Sequence, residues 1–347
     1  MGYNFHEIFR KQQEEEQVRR GLFGLIKPII STPFKDFTFV AVGSELHWSK
    51  KWKTFHDFLL SYIRTVFGEK WGNNELKKSL KDRHQIMKWY NELCLFQKSA
   101  NLPDENGIYS EIPTGPVFSY LSLAYDLYLI KHHAKFQRRI IKRLKQTSEF
   151  QSARYELFVA STMVRAGCEI NYENEHDNRT KHTEFIAKQG INNQIYCVEA
   201  KSRRRDGVLG HKGVESDFKS DLNAYSRFIS NAIEKNPKHP LLIFIDLNMP
   251  SEETRTIFEL MPPYNPLTEI IDHIKKNDKG EDEFYLLVFT NTPHYYRNAE
   301  ITSLPKGHFI VQSTNPKQMP LDSSMFLGLS ESLDQYGNIP HEFPKNK

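Results

Sequence analysis

The residues best suited to chemistry lie in the run Ile195-Tyr196-Cys197-Val198-Glu199-Ala200-Lys201. Side chains alternate along a strand, so Ile195, Cys197, Glu199 and Lys201 share one face. A carboxylate and an ammonium therefore stand side by side where the strand ends. The triplet alone carries little, because Glu75-Leu76-Lys77 and Asp217-Phe218-Lys219 have the same spacing. Both of those fall in segments predicted to be helical, where positions i and i+2 point in different directions. Only the copy at 199–201 closes an apolar strand.

Two further carboxylates are placed to join it. Glu184, in Thr183-Glu184-Phe185-Ile186-Ala187, precedes Glu199 by fifteen residues, a hairpin's reach. Glu156 lies in the helical run Arg154-Tyr155-Glu156-Leu157-Phe158-Val159-Ala160. Its neighbours three and four positions away are Ser152, Ala153, Val159 and Ala160, so no cation sits within one turn. A carboxylate on an apolar helix patch is costly unless something distant compensates it, such as a metal ion or a lysine from the sheet. Taken singly, Glu199 and Lys201 also fit an exposed ion pair, Glu184 a solvated strand residue, and Glu156 a carboxylate paired with Arg165 or another tertiary cation. It is their conjunction that carries weight.

The elements that must position these groups follow from periodicity. Ser148-Glu149-Phe150-Gln151 has the spacing of a capping box and predicts a helix running to Arg165, stopped by Gly167. A strand at Cys168–Tyr172, a polar turn at Asn174–Thr180, and strands at Thr183–Lys188 and Gln194–Ala200 come next. A helix at Ser216–Glu234 leads to Leu241–Leu247, which reads as a strand buried on both faces. A helix at Leu267–Lys276 and a strand at Phe284–Phe289 complete an α/β pattern with a mixed sheet. The preceding residues read as mainly helical: Phe5–Arg20, Thr54–Phe67, Asn74–Gln97 and Val117–His133. One β-like run, Phe37–Val42, stands among them, and a Pro/Gly-rich loop covers Asn101–Pro116. A basic stretch, Lys135–Lys145, joins the two parts. The expected division is 1–145 (helical, for recognition or oligomerisation), 146–315 (the α/β domain) and 316–347 (a peripheral tail).

The order helix-Glu, strand-Glu, strand-Glu-x-Lys resembles the PD-(D/E)xK nuclease superfamily over roughly residues 148–289. The resemblance implies a restriction-endonuclease-like mixed β-sheet core flanked by helices, following a mainly α-helical N-terminal region. It further implies Mg²⁺, with Mn²⁺ as substitute, bound by Glu184, Glu199 and the Ala200 carbonyl, with Glu156 completing or supporting the shell. By the same resemblance Lys201 orients the attacking water and stabilises the developing phosphorane charge. The chain has Thr183-Glu184 where the family usually has Pro-Asp. A catalytically degenerate protein of this fold, binding nucleic acid or a protein partner, is therefore the alternative.

Hard oxygen ligands in this number suit Mg²⁺, which keeps several waters, lowers the pKa of one and neutralises a phosphate. Arg203, Arg204, Arg205 and Lys212 follow Lys201, where a phosphate backbone would be held; the bland reading is a solvated basic loop. Lys219 and Asn223 on the next helix are weaker candidates to face the site. His132, His133 and His211 have no partner at metal-ligand spacing and read as surface residues, and Asp246 as the polar end of a buried strand. Trp48, Lys50, Lys51, Trp52 and Lys53 form a suggestive aromatic–basic cluster.

The composition fits these expectations and excludes others. The chain has 347 residues, 39% hydrophobic and 26% charged, which is neither disordered nor membrane-like. Its net charge of +4 permits a nucleic-acid partner without requiring one. Three scattered cysteines give neither a disulfide framework nor a zinc module. Met1–Arg20 lacks an apolar leader segment, and no run of eighteen apolar residues occurs. The expected partner is nucleic acid, DNA rather than RNA, with no membrane; the expected compartment is the cytoplasm, and a homodimer fits the N-terminal region's role.

Overall fold

The computed structural model describes residues 5–100, 103–133, 138–172, 183–190, 192–211, 213, 222–248, 284–292, 295, 300–301, 307–313 and 323–344, without the side chains of 5–9, 222–223 and 323. The predicted turn at Asn174–Thr180 and helix at Leu267–Lys276 lie outside them, as do Lys212 and Lys219. The chain is a mixed α/β protein with a three-stranded antiparallel sheet and a six-stranded mixed sheet.

The N-terminal part begins with helix α1 (Phe5–Phe23). A meander of β1 (Ile30–Phe34), β2 (Phe37–Val42) and β3 (Glu45–Ser49) follows. Only β2 has a regular apolar alternation. Its Val40 and Val42 point into the core, while Phe37, Phe39 and Ala41 lie on the outer face. Helix α2 (Phe55–Phe67) starts at a capping box: Thr54 Oγ1 accepts from the Asp57 N–H at 3.2 Å, and Asp57 accepts from the Thr54 N–H at 2.9 Å.

The helix predicted over Asn74–Gln97 is broken into α3 (Glu69–Leu76), a 3₁₀ turn (Leu80–Asp82) and α4 (Gln85–Ser99). Side chains capture the backbone at the break: Glu75 accepts from the His84 N–H at 2.8 Å, and His84 Nδ1 accepts from the Ile86 N–H at the start of α4. Such local bonds offer the backbone an alternative to a continuous helix. Helix α5 (Gly115–His133) is buried along most of its length. Its His132, expected at the surface, is buried and stacked on Tyr128 with centroids 5.2 Å apart.

The basic connector forms α6 (Arg138–Leu144), and α7 (Phe150–Arg165) follows. The anticipated capping box at Ser148–Gln151 does not form. Glu149 is the N-cap without a side-chain bond, and the Gln151 amide is buried and turned to the loop that follows Ser202. Gly167 ends the helix as predicted, at φ +82°, where a Cβ would come within 2.8 Å of Leu25.

The large sheet runs β4 (Cys168–Asn171), β5 (Phe185–Gln189), β6 (Ile195–Ser202), β7 (Leu241–Asp246), β8 (Leu286–Thr290) and β9 (His308–Gln312), in that order across the sheet. β6, β7 and β8 are mutually parallel and the outer pairings antiparallel. All six residues of β7 are buried, as its unbroken apolar run requires. Helix α8 (Leu222–Ile233) covers one face through Tyr225 and Ile229, against Cys197, Ile243 and Ile245. Helix α7 covers the other.

The C-terminal segment, expected at the periphery, carries α9 (Ser323–Asp334), whose Met325 and Leu329 are fully buried in the core shared with α7. One apolar cluster extends from Ile26 to Leu333 and includes side chains of α2, α5, α7, the large sheet and α9. Among the described residues no helix is long and apolar enough to cross a membrane.

Candidate active site

The strand register brings two of the carboxylates together. Phe185 pairs with Val198, and Glu184, the residue just before β5, donates its N–H to the same Val198 carbonyl at 3.1 Å, which sets it against β6 beside Glu199. Glu199 and Lys201 share the β6 face, as the alternation predicts, and Lys201 Nζ contacts Glu199 Oε1 directly. Lys201 also lies 3.8 Å from Glu184 Oε1. Carbonyls of alternate strand residues point to the same side. Val198 C=O faces β5, so the Ala200 carbonyl is directed to that side too, beyond the first residue of β5.

Glu156 enters from α7. Every residue of that helix except Ser152 is buried, and Glu156 is only 5% exposed. Its compensating charge comes from neither a sheet lysine nor Arg165. Arg143 of α6 contacts Glu156 Oε2, while its Nε holds Glu149 at 3.0 Å. Burial is the main influence raising the Glu156 pKa; Arg143 and Arg139 oppose it, and the charge of Glu199 adds to it. Burial also dominates at Glu184, where the charges of Glu156 and Glu199 add to it and Lys201 and Lys235 oppose it, leaving the carboxyl at about 7. Three acids from three elements thus share one electrostatic field.

Besides Arg143, sequence reasoning missed two members. Lys235, just beyond α8, donates to Glu199 Oε1 at 2.6 Å, so two ammonium groups converge on one oxygen of a fully buried carboxylate. The other oxygen, Oε2, is buried and without a hydrogen-bond partner among the described residues. Tyr172, at the end of β4, is the second. Its hydroxyl is likewise buried without such a partner. Its pKa is pushed up by burial first and then by the charges of Glu156 and Glu184, which places it beside the acids. No local signal marks either residue, since each reaches the site by tertiary packing.

As a site for a metal ion the donor set is partly formed. Among the described residues no three His, Cys, Asp or Glu side chains are gathered tightly enough to hold an ion as they stand. Cations already occupy one oxygen of Glu156 and one of Glu199. What fits a hard cation is the remaining oxygen set: the orphaned Glu199 Oε2, Glu184 and the Ala200 carbonyl. Mg²⁺ accepts so few protein ligands because it retains water.

The basic run after Lys201 is not a surface strip. Arg203 and Arg205 are buried, and only Arg204 is exposed. The Arg205 guanidinium contacts the Asn248 carbonyl. Gln151 locks the loop by donating to the carbonyls of Arg205 and Val208 at 2.9 and 3.0 Å and accepting from the Arg205 N–H at 2.9 Å. His211, expected at the surface, is buried as well. Asp246 closes this end of the sheet in a fully buried pair with Arg154 at 2.6 Å, with Ser202 Oγ donating to it at 3.0 Å. Lys212, Lys219 and the side chain of Asn223 lie outside the described residues. No family model, no curated protein and no solved structure matches the chain.

Proposed function

We propose that the chain is a metal-dependent nuclease, most simply an endonuclease of DNA, with a restriction-endonuclease-like core of the PD-(D/E)xK type. The observation that carries the reading is the convergence of Glu156, Glu184 and Glu199 with Lys201, with one oxygen of Glu199 left buried and, among the described residues, unbonded. A buried carboxylate oxygen with no donor is costly, so a ligand that takes it up recovers that cost. Glu184, Glu199 Oε2 and the Ala200 carbonyl would hold Mg²⁺ or Mn²⁺. Arg143 holds one oxygen of Glu156, which gives that residue a supporting part. The ion, when bound, supplies a water of lowered pKa and neutralises charge on the scissile phosphate.

The chain's own groups do the rest. Lys201, in contact with Glu199 and 3.8 Å from Glu184, would orient the attacking water and stabilise negative charge growing on the phosphoryl oxygens. Lys235 fixes Glu199 Oε1, so that Oε2 keeps its direction. Tyr172, just beyond β4, packs edge-on against Phe185, the neighbour of Glu184, with ring centroids 5.8 Å apart.

The test is cleavage of plasmid DNA and of DNA and RNA oligonucleotides with Mg²⁺ or Mn²⁺, comparing wild type with Glu199→Ala and Lys201→Ala. The reading requires cleavage by wild type and its loss in both variants. Cleavage that survives both substitutions excludes this site. A second reading, a degenerate protein of the same fold that binds nucleic acid or a protein partner, is favoured by one feature: lysines already occupy Glu199, and among the described residues no closed ligand cage is formed. Nucleic-acid binding by wild type with no cleavage under any metal selects it.

A further inference from the structure

The outer face of the small sheet is aromatic, with Phe34 and Trp48 exposed and Phe37 and Phe39 half-buried between them, and nothing in the proposed chemistry uses it. Register places Phe34 beside Phe37 and Phe39 beside Trp48 on adjoining strands. Phe39 stacks on Trp48 with centroids 6.2 Å apart and planes 29° from parallel, and Phe34 and Phe37 lie 6.4 and 6.2 Å from Phe39. Trp48 is 58% exposed and Phe34 60% exposed. Large aromatic side chains gathered in water on one face mark an interaction surface rather than a scatter of surface apolar residues.

Cations border these rings. Lys50 Nζ sits 4.8 Å from the Phe37 ring centre and Lys35 Nζ 5.5 Å from that of Phe34. Lys51 is exposed next to them. The neighbouring Trp52 and Lys53 belong elsewhere. Trp52 packs edge-on against Phe58 with centroids 5.2 Å apart, and Lys53 donates to the carbonyls of Asn106 and Gly107. Asp36, bound to Lys50 at 3.2 Å, is the acid at this end. Three lysines against one aspartate give the aromatic end of the sheet a positive fringe.

We infer that this face binds single-stranded nucleic acid, with unpaired bases stacked on the Trp48–Phe39 rings and phosphates held by Lys35, Lys50 and Lys51. Aromatic rings recognise the flat faces of bases, and a duplex hides those faces within its own stack. The lysines supply the charge that a phosphate backbone requires and that an apolar protein partner would not. The inference does not depend on the metal site, and it gives the N-terminal part of the chain a substrate-holding role.

The experiment is fluorescence-anisotropy titration of labelled dT and dA dodecamers and of a duplex of equal length. It uses the full chain in EDTA, so that no cleavage can occur whatever the fate of the nuclease reading. Wild type is compared with Trp48→Ala and Lys51→Glu, and melting curves establish that each variant folds. Wild type is expected to bind the single strands at least tenfold more tightly than the duplex. Trp48→Ala is expected to weaken single-strand binding by roughly tenfold or more, as loss of a stacking partner does. Lys51→Glu is expected to lower the slope of log affinity against log salt by about 0.7 or more. Equal affinity for single strand and duplex, or single-strand binding unmoved by Trp48→Ala, overturns the inference. So does a wild type that binds no single strand but self-associates until Trp48 is removed, because the face is then a contact between copies.

Discussion

Asp126 offers a stability test that does not depend on the active site. This α5 residue is 3% exposed; its Oδ1 accepts from Ser161 of α7 at 2.7 Å and its Oδ2 from Tyr336, beyond α9, at 3.2 Å. Burial, only partly offset by Ser161, Arg165, Tyr336 and Arg154, pushes its carboxyl from 3.8 up to about 7. The folded state therefore favours the protonated acid, and the group's contribution to stability is full below about 3.8 and lost as pH rises towards 7. Between those values each pH unit costs about 1.4 kcal/mol, so roughly 3 kcal/mol is lost between pH 5 and pH 8. Asp126→Asn keeps the size and an acceptor for Ser161, and the Tyr336 hydroxyl can turn to accept from the amide. Urea denaturation of both proteins from pH 5 to 8 isolates the effect, since Glu184, whose raised pKa acts with the same sign, cancels in the difference. Stability of the variant relative to wild type should rise by about 2–4 kcal/mol over that range. A difference that stays flat within about 0.5 kcal/mol, or falls, would falsify the assignment of a neutral buried Asp126.

Other substitutions test other parts of the structure. Lys235→Met should destabilise the fold by about 2–4 kcal/mol by leaving Glu199 with one cation, and should lower cleavage; unchanged denaturation midpoints would mean that the contact carries no weight. Tyr172→Phe should leave stability unchanged or raise it by up to about 1 kcal/mol, since it removes a buried hydroxyl without a partner. A clear loss of stability in calorimetry would show that the hydroxyl is bonded. Arg205→Ala should cost about 2–3 kcal/mol in denaturant titrations by removing the buried guanidinium that contacts the Asn248 carbonyl, while the Gln151 bonds to the backbone remain. Arg204→Ala, at an exposed position, should leave the denaturant midpoint in place; the reverse pattern would contradict the buried loop.

What the sequence made legible is what local period encodes. The alternation of 195–201 located β6 and placed Glu199 and Lys201 on one face, and the hairpin spacing brought Glu184 to the segment that adjoins β6. Gly167 marked the end of α7 through the backbone conformation that position needs. Partners brought together by packing left no such trace. Lys235 lies 36 residues from Glu199, and Arg143 lies 13 from Glu156 in a separate helix. The run 203–205 reads as a solvated charge cluster until Asn248 is seen to take the Arg205 guanidinium and Gln151 to hold its backbone. β1, with Pro33 and an almost wholly exposed pattern, has no alternation to find. The break before α4 depended on where the Glu75 and His84 side chains turn.

The enclosure of α7 bears on how the molecule can be taken apart. A helix covered on nearly every side behaves as a wall common to two rooms, and removing either room leaves that wall facing water. A fragment beginning near residue 146 would expose the apolar contacts that α7 makes with α5, and would lose Arg143 as well. Glu156 would then be a buried carboxylate without its cation. The α/β part is therefore expected to need the preceding helices in order to fold and to hold Glu156 in place, so dissection between residues 145 and 146 should yield insoluble material. Insertions at exposed loop tips such as Asp104–Gly107, by contrast, leave that wall intact.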